Sequence, residues 1–281
     1  MSTACLRINF TEAQGSLQLL RLVALSLVGL FMAGSVEKRL LEKIEAEGSI
    51  HITLIDPEKV TPPQASQIAS KARTSGTTAI MIGGSTFVSS KHLDDVVRII
   101  KRTVKIPVIL FPNNVTGISR YADAIWFMSL LNSVDPYFIM GAQVLGAPLV
   151  KRYGLEPIPM GYIIVGEGGA AGVVGKAIAV PYNKPELVVA HALAGQYLGM
   201  RFIYLEAGSG AKEPVPPDMI RAVRQYLDVP LIVGGGIRSR GQALAAASAG
   251  ADIIVTGNVV ENNGVRRKVS EIIEGLRHRR I

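Results

Sequence analysis

The sequence predicts an α/β protein built as a modified (β/α)8 TIM barrel that lacks its third helix. Short apolar runs rich in β-branched residues recur eight times after residue 48, and helical stretches separate most of them. The runs show no alternation of apolar and polar residues, which is typical of parallel strands covered on both faces. Eight runs with intervening helices favour a closed barrel over an open doubly wound sheet.

The eight predicted strands are residues 51–56, 79–83, 108–112, 124–128, 160–165, 202–206, 231–234 and 252–256. A crossover between parallel strands usually takes about a dozen residues or more. Residues 113–123, after the third run, leave room for an extended segment or a single turn, so no third helix is expected. Residues 166–184, after the fifth run, are long and rich in glycine, and we expect a flexible cover over the site.

The composition of the chain excludes several classes of protein. Hydrophobic residues make up 48% of the 281 residues and charged residues 19%, which is enough apolar material for a large core. A single cysteine, Cys5, excludes an internal disulfide and a cysteine metal site, and a cytoplasmic location fits. The formal charge is +8, but no basic stripe is interleaved with aromatic residues, so no nucleic-acid partner is expected. The basic residues of 266–281 form a solvated tail or give weak peripheral contact with anionic lipid.

The chain is predicted to consist of an N-terminal extension, 1–34, and a barrel catalytic domain, 35–281. The uninterrupted apolar stretch 22–33 is shorter than the roughly 20 residues that span a bilayer. It resembles the centre of a signal peptide, and a true start at Met32 is a further alternative. We expect a dispensable extension or a misassigned start rather than a membrane anchor, followed by a helix with Ser35 as its N-cap.

Glycines cluster after the last three predicted strands, in YLEAGSG (204–210), GGGIRS (234–239) and TGN (256–258). A phosphate can approach backbone that has no Cβ atoms, and free N–H groups at a helix N-terminus attract its charge. Each glycine alone could serve only a tight turn. Because barrel phosphate sites lie at these adjacent strand ends, their coincidence predicts a phosphate site.

Three further side chains at strand ends are candidates for chemistry. Glu206 ends the sixth strand beside glycines, which favours a general base near a substrate hydroxyl over a structural ion pair. Tyr204 lies on the same face and would orient that substrate or pack in the core. Asp56 precedes Pro57 and by itself is a turn or cap residue, although Mg²⁺ that keeps its waters needs few protein ligands.

A set of apolar residues covers the fourth predicted strand and the segment that follows it. Most of these residues are expected in the core, but those beyond the strand, 137–140, would line a groove for a long hydrocarbon. Each buried methylene would contribute about 0.8 kcal/mol. The set comprises Ile125, Trp126, Phe127, Met128, Leu130, Leu131, Tyr137, Phe138, Ile139 and Met140. The histidines His51, His92, His191 and His278 show no metal-binding spacing.

Together, the segments HITLIDPEK, IGGST, FPNN, AIWFMSLLNS, EPIPMGYIIV, YLEAGSG, PLIVGGGIRS and DIIVTGN resemble the geranylgeranylglyceryl phosphate synthase family. These archaeal prenyltransferases make the first ether bond of membrane lipids. The resemblance runs in order from about Ser35 to Leu276, and YLEAGSG with IVGGGIRS is its most specific part.

The resemblance implies transfer of the geranylgeranyl group of geranylgeranyl diphosphate to the C3 hydroxyl of sn-glycerol 1-phosphate. It implies a Mg²⁺ cofactor bound at Asp56 and Ser85, with Glu206 as the base and Tyr204 positioning the glycerol. A homo-oligomer is also implied. The residues implied to bind glycerol phosphate are Tyr204, Leu205, Glu206, Ala207, Gly208, Ser209, Gly210, Gly235, Gly236, Gly257 and Asn258.

Three alternatives stay open on the sequence. A heptaprenylglyceryl phosphate synthase would use a longer prenyl donor, and pocket depth would separate the two. A phosphate-binding barrel isomerase would need a second acid or base at another strand end and no apolar groove. A non-catalytic lipid- or phosphate-binding barrel is disfavoured by the intact Asp56 and Glu206.

Overall fold

A computed structural model describes residues 33–84, 89–257 and 264–277. Eight parallel strands pair in chain order, and the eighth pairs with the first to close the barrel. The strands are β1 (Ile50–Ile55), β2 (Ala79–Ile82), β3 (Val108–Leu110), β4 (Ala124–Leu130), β5 (Glu156–Ile164), β6 (Phe202–Glu206), β7 (Leu231–Gly234) and β8 (Ile253–Thr256). The predicted barrel is confirmed.

Helices alternate with the strands along the chain, with one exception. They are α1 (Ser35–Glu47), α2 (Pro62–Thr74), α3 (Ser90–Thr103), α4 (Ala142–Tyr153), α5 (Gly169–Val174), α6 (Pro185–Tyr197), α7 (Pro217–Arg224), α8 (Arg240–Ser248) and α9 (Val265–Arg277). Between β3 and β4 lies a 3₁₀ turn, Val115–Gly117, in place of a helix. The missing third helix is therefore confirmed.

Strand β5 is longer than predicted, since it begins at Glu156 rather than at residue 160. Pro157 and Pro159 hid this beginning, because proline lacks the N–H that a ladder needs. They are tolerated because β6 begins opposite Met160, so this part of β5 has only β4 as a paired neighbour. Strand β4 likewise continues to Leu130, beyond its predicted end at 128.

Alternate strand residues point into the barrel and towards the helices, and both sets are buried. The interior includes Met81, Trp126 and Phe202, with the last two rings edge to face at 5.1 Å. Residues between them in the strands, such as Leu205 and Ile254, pack against the outer helices. Burial on both faces explains the apolar runs without alternation.

Helix α1 is fastened to the amino-terminal side of the barrel, but not through the cap that the sequence suggested. The prediction of Ser35 as N-cap is wrong, because Gly34 occupies that position. The Glu156 carboxylate instead accepts hydrogen bonds from the N–H groups of Val36 and Glu37, both at 2.8 Å. A Cβ on Gly34 would lie 2.1 Å from Glu156 Cδ, so the carboxylate occupies the space that a side chain would need.

The division of the chain at residue 34 stays a prediction, and residues 1–32 of the predicted extension lie outside the described residues. Ala33 is buried. Among the described helices, none is both long and apolar enough to cross a membrane. Apart from residue 33, the apolar stretch 22–33 lies outside the described residues.

Candidate active site

A cavity of about 360 Å³ opens at the carboxyl ends of the strands. On one side its lining is the glycine wall, which we define as Ser209, Gly210, Gly235, Gly236 and Gly257. Across the barrel, half a turn away in strand order, lies the apolar wall. We define it as Ile125, Phe127, Met128, Leu130, Phe138, Ala142, Gly146 and Val150.

The glycine wall presents backbone to the cavity. Gly235 and Gly236 have φ angles of +81° and +74°, which residues with a Cβ rarely adopt. A Cβ on Gly235 would lie 2.6 Å from the Glu206 carboxylate, so this turn also requires glycine on steric grounds. Within the described part of the chain, the N–H groups of Gly235, Gly236 and Gly257 have no protein acceptor. These donors make the wall suitable for an anion such as phosphate.

Glu206 lies at the end of β6, where the cavity meets the glycine wall. Its Oε1 accepts a hydrogen bond of 2.7 Å from the Gly208 N–H, and the Tyr204 hydroxyl lies near the carboxylate. Burial raises the pKa of Glu206 above its usual value, while the nearby Tyr204 hydroxyl and the Gly208 N–H act to lower it. A raised pKa makes this carboxylate a stronger base than an exposed one.

Three aromatic rings surround the carboxylate end of the cavity. Tyr204 stacks on Phe111 at 5.8 Å, and Tyr162 meets Tyr204 at 5.1 Å and Phe111 at 5.3 Å, in both cases edge to face. Burial, followed by the nearby Glu206 charge, raises the pKa of both tyrosines well above its usual range. Both hydroxyls therefore stay protonated and can donate hydrogen bonds. Phe111 and Tyr162 stand in the segments FPNN and EPIPMGYIIV, but no role was predicted for either ring.

Asp56 lies after β1, beside the cavity rather than in its lining. It borders a small neighbouring cavity together with Gly83, Gly84 and Asn113, which also line the large one. Its carboxylate accepts from the Glu58 N–H at 3.1 Å, so it is a cap as well as a candidate ligand. No group of three or more His, Cys, Asp or Glu side chains within metal-binding reach occurs among the described residues.

The apolar wall extends over the rim of the barrel to the outer side of β4. Ile125 and Val150 belong to the cluster between strands and helices, and Ile118 and Phe127 pack against that cluster. These residues line the cavity as well. They can do so because the 3₁₀ turn that replaces the third helix leaves the space between β4 and α4 open.

The prediction that residues 137–140 line the groove is correct only for Phe138. Ile139 and Met140 are 37% and 60% exposed and point away from the cavity. A π-helix, Tyr137–Gly141, precedes α4 and turns these side chains outwards. Ala142 and Gly146, one and two turns further, form the wall instead.

The glycine-rich segment 166–184 covers part of the cavity, as predicted, through Ala171, Val174 and Gly175. It is not a structureless loop, because it contains α5. Ser133 and Asn132 fasten it to the end of β4: the Ser133 hydroxyl donates to Gly175 O at 2.6 Å, and Asn132 Nδ2 donates to Ile178 O at 2.8 Å.

The structure brings together most of the predicted site residues that it describes. Tyr204, Glu206 and the glycine wall line one cavity. Leu205 and Ala207 instead pack towards the helices, and Gly208 supports Glu206 from behind. Ser85 and Asn258 lie outside the described residues, so their placement stays a prediction.

Two cationic residues in the cavity lining were missed from the sequence. Arg238 donates hydrogen bonds to the carbonyls of Gly210, Ala211 and Lys212 at 3.2, 2.6 and 3.3 Å, and so ties the turn after β7 to the turn after β6. Lys268 reaches the cavity from α9. Arg238 stands within GGGIRS, so the motif contained the signal beside its glycines.

Comparison with known proteins places these features in a family. The family model described as PcrB family matches residues 42–276. Geranylgeranylglyceryl phosphate synthase of Thermofilum pendens is 55% identical over 247 residues, which cover 88% of this chain and 96% of that protein. The synthase of Thermococcus kodakarensis is 56% identical over 243 residues, covering 86% and 96%.

A solved structure has the same fold. It is (S)-3-O-geranylgeranylglyceryl phosphate synthase from Thermoplasma acidophilum in complex with sn-glycerol-1-phosphate. The TM-score is 0.84 at 41% sequence identity, and the match covers 87% of this chain and 98% of that chain.

Proposed function

This chain belongs to the PcrB family, and we propose that it is a geranylgeranylglyceryl phosphate synthase. It would join the geranylgeranyl group of geranylgeranyl diphosphate to the C3 hydroxyl of sn-glycerol 1-phosphate. The observation that carries this proposal is the position of Glu206, a buried carboxylate in a cavity with a glycine wall on one side and an apolar wall on the other.

The glycine wall would hold the phosphate of sn-glycerol 1-phosphate. The N–H groups of Gly235, Gly236 and Gly257, which have no acceptor within the part of the chain that the structure describes, would supply the donors. Arg238 donates hydrogen bonds to the carbonyls of Gly210 and Ala211, so the partial negative charge of these oxygens is compensated near the anion. The glycerol would then extend towards Glu206, which borders the same turn.

Glu206 would act as the general base. As the bond between the allylic carbon and the diphosphate oxygen breaks, that carbon gains positive charge, and the C3 hydroxyl oxygen bonds to it. The hydroxyl proton passes to the Glu206 carboxylate, which its raised pKa makes a suitable acceptor. The Tyr204 hydroxyl, which lies near the same carboxylate, would orient it.

The diphosphate half of the reaction would lie near Asp56 and Ser85, with Mg²⁺ as cofactor. The donor set fits this ion, because one carboxylate without a full protein cage suits Mg²⁺ that takes its other oxygens from water and a diphosphate. When bound, the ion would neutralise the charge of the leaving diphosphate. Gly84 supports the fit, since a Cβ there would come within 2.4 Å of Asp56 Oδ1 and crowd the carboxylate.

The metal proposal has its own test. Chelation of Mg²⁺ should abolish turnover, and added Mg²⁺ should restore it. Asp56→Asn should raise the Mg²⁺ concentration that gives half-maximal rate, with little change in the KM for sn-glycerol 1-phosphate. Full activity in excess chelator would contradict a metal cofactor.

The apolar wall would take the prenyl chain. Burial of each methylene contributes about 0.8 kcal/mol, so a long chain gains much of its affinity there. An isomerase would use a second acid or base, but Glu206 is the only carboxylate among the described residues that line this cavity. Chain length is the open choice, since a heptaprenyl donor has the same chemistry as a geranylgeranyl donor.

Product formation tests the proposal directly. The protein is incubated with radiolabelled sn-glycerol 1-phosphate, Mg²⁺ and prenyl diphosphates of increasing length, and lipids are extracted. We expect label in the organic phase, highest with geranylgeranyl diphosphate and low with sn-glycerol 3-phosphate. A maximum with heptaprenyl diphosphate would favour the longer-chain synthase, and absence of label with every donor would contradict a prenyltransferase.

A homo-oligomer is also proposed. Large apolar side chains are exposed on the elements around the apolar wall, and a second copy would remove them from water. They include Val134, Met140, Val144, Leu145, Val173 and Ile178. Light scattering should give a multiple of the 30.0 kDa chain mass, and a mass of one chain would contradict this proposal. Peripheral membrane contact stays a prediction that vesicle sedimentation can test.

A further inference from the structure

A chain of polar side chains is buried behind the end of β8, between the barrel and its helices. His51 Nε2 lies 2.9 Å from Thr256 Oγ1, and its Nδ1 lies 3.0 Å from Thr77 Oγ1. The Thr53 hydroxyl donates to Thr77 Oγ1 at 3.1 Å. These four side chains are at most 4% exposed, and the mechanism above uses none of them.

The hydrogen-bond partners of Thr77 favour one tautomer of His51. The single proton of the Thr77 hydroxyl has two carbonyl acceptors, that of His51 at 3.1 Å and that of Ala79 at 3.4 Å. When the hydroxyl donates to either carbonyl it can only accept from Nδ1, which then carries the ring proton. Burial lowers the pKa of His51 to about 3, so the ring is neutral and Nε2 is an acceptor. The Thr256 hydroxyl must then donate to Nε2.

This hydrogen bond ends at the glycine wall. Thr256 is the last residue of β8, and it is followed by Gly257, which lines the cavity and whose N–H has no acceptor among the described residues. The outward side chain two residues earlier in the same strand, Ile254, is aliphatic. The hydrogen bond between Thr256 and His51 restricts the orientation of the backbone at this position more than an aliphatic contact would, because a hydroxyl has few acceptors to choose from.

We propose that His51 is a positioning residue for the phosphate site: by accepting the Thr256 hydroxyl, it sets the direction in which the Gly257 N–H points. The inference rests on the proposed function for the identity of the anion. It does not involve contact between His51 and substrate. Its effect should appear in the binding of sn-glycerol 1-phosphate and not in the binding of the prenyl donor.

Two pairs of variants separate this role from packing. Thr256→Val keeps the shape but removes the hydroxyl, while Thr256→Ser keeps the hydroxyl. His51→Leu removes the acceptor, whereas His51→Gln places Oε1 near the position of Nε2. Calorimetry with sn-glycerol 1-phosphate should show about tenfold weaker binding for Thr256→Val and His51→Leu, with the serine and glutamine variants closer to wild type. The KM for the prenyl diphosphate should change less than about twofold.

The outcomes distinguish this inference from the proposed function, which wild-type product formation tests separately. If wild type forms product but Thr256→Val, folded by its melting temperature, binds glycerol phosphate as wild type does, the role of His51 is wrong and the function stands. If wild type binds the phosphate ester without forming product and Thr256→Val weakens that binding, the role of His51 stands and the proposed function is wrong. If wild type does not bind the ester, both fail.

A measurement on wild type alone covers the case in which the variants do not fold. The ¹⁵N shifts of the His51 ring should show a neutral ring with the proton on Nδ1 across pH 5–8. Adding sn-glycerol 1-phosphate should shift the Nε2 signal, because the Thr256 hydroxyl is its donor. A proton on Nε2, or ring signals that do not respond to the ligand, would overturn the inference.

Discussion

The glycine wall and the apolar wall border the same cavity, but the first is made of backbone and the second of side chains. In the glycine wall, Gly235 and Gly236 expose N–H groups because nothing else fits their φ angles and surroundings. In the apolar wall, side chains from β4 and α4 line a space left by an absent helix. Substitutions in one wall should therefore affect one substrate and leave the other largely unaffected.

The largest effect is expected at Glu206, beside the glycine wall. Glu206→Gln should lower kcat roughly a hundredfold to ten-thousandfold, because the amide cannot take the hydroxyl proton. Binding of sn-glycerol 1-phosphate should change only a few-fold, since the amide oxygen can still accept from the Gly208 N–H. Rapid-quench kinetics and calorimetry measure the two quantities.

Glu167→Gln is the matched control for this prediction. Glu167 is an exposed carboxylate on the covering segment, and its substitution removes the same charge. We expect its turnover to equal that of wild type. A Glu206→Gln enzyme as active as this control would remove Glu206 from the mechanism.

Gly235→Ala should disturb the glycine wall and leave the apolar wall unchanged. The new Cβ would lie 2.6 Å from Glu206 Oε1 at a φ of +81°, so the turn must move. Strain of about 3 kcal/mol corresponds to roughly a hundredfold weaker binding of sn-glycerol 1-phosphate. Titration calorimetry measures this, and the KM for geranylgeranyl diphosphate should change much less.

The control here is Gly241→Ala in α8, where an added Cβ has nothing within 4 Å. It should leave substrate binding unchanged and stabilise the fold by about 0.5–1 kcal/mol, because alanine favours a helix. Equal loss of affinity in both variants would show that Gly235 is not part of the phosphate site.

Gly146→Val should affect the apolar wall alone. The added atoms enter the cavity near Ile118, where a Cβ would lie 3.1 Å from Ile118 Cδ1. We expect about a tenfold higher KM for geranylgeranyl diphosphate, a shift towards shorter donors and an unchanged KM for sn-glycerol 1-phosphate. Ala147→Val, on the exposed face of the same helix, should have no such effect. A reversed pattern between the two substrates would contradict the assignment of the walls.

The smallest effect near neutral pH is expected from protonation of Glu206. The base must be deprotonated, and its pKa is raised mainly by burial, so turnover should decline on acidification with a midpoint above 4.5. Below that midpoint the rate should fall about tenfold per pH unit. The pH profile of kcat measures this. A midpoint at or below 4.5 would show that the rate-limiting base is a more exposed carboxylate.

The difference between the walls also explains what the sequence could predict. Backbone sites require glycine, so YLEAGSG and GGGIRS identified the glycine wall directly, and the short connection after β3 identified the missing helix. Apolar residues look alike whether they lie in a core or a cavity. The outward turn of Ile139 and Met140 therefore depended on a π-helix that no local pattern announces.

Contacts between distant segments were the other source of error. Glu156 caps α1 across more than a hundred residues of chain, so Ser35 was the only cap visible locally. His51 showed no metal spacing, and its link to Thr256 required the closure of β8 onto β1. Both depend on barrel closure, which predicts strand neighbours but not side-chain partners.

The central claim is that the glycine wall places the glycerol C3 hydroxyl next to Glu206. A crystal structure with sn-glycerol 1-phosphate and a non-cleavable prenyl diphosphate analogue tests it most directly. The account predicts phosphate oxygens at the N–H groups of Gly235, Gly236 and Gly257, and the C3 hydroxyl about 2.6–3.2 Å from the Glu206 carboxylate. A glycerol phosphate bound beside Asp56, or a C3 hydroxyl turned away from Glu206, would contradict it.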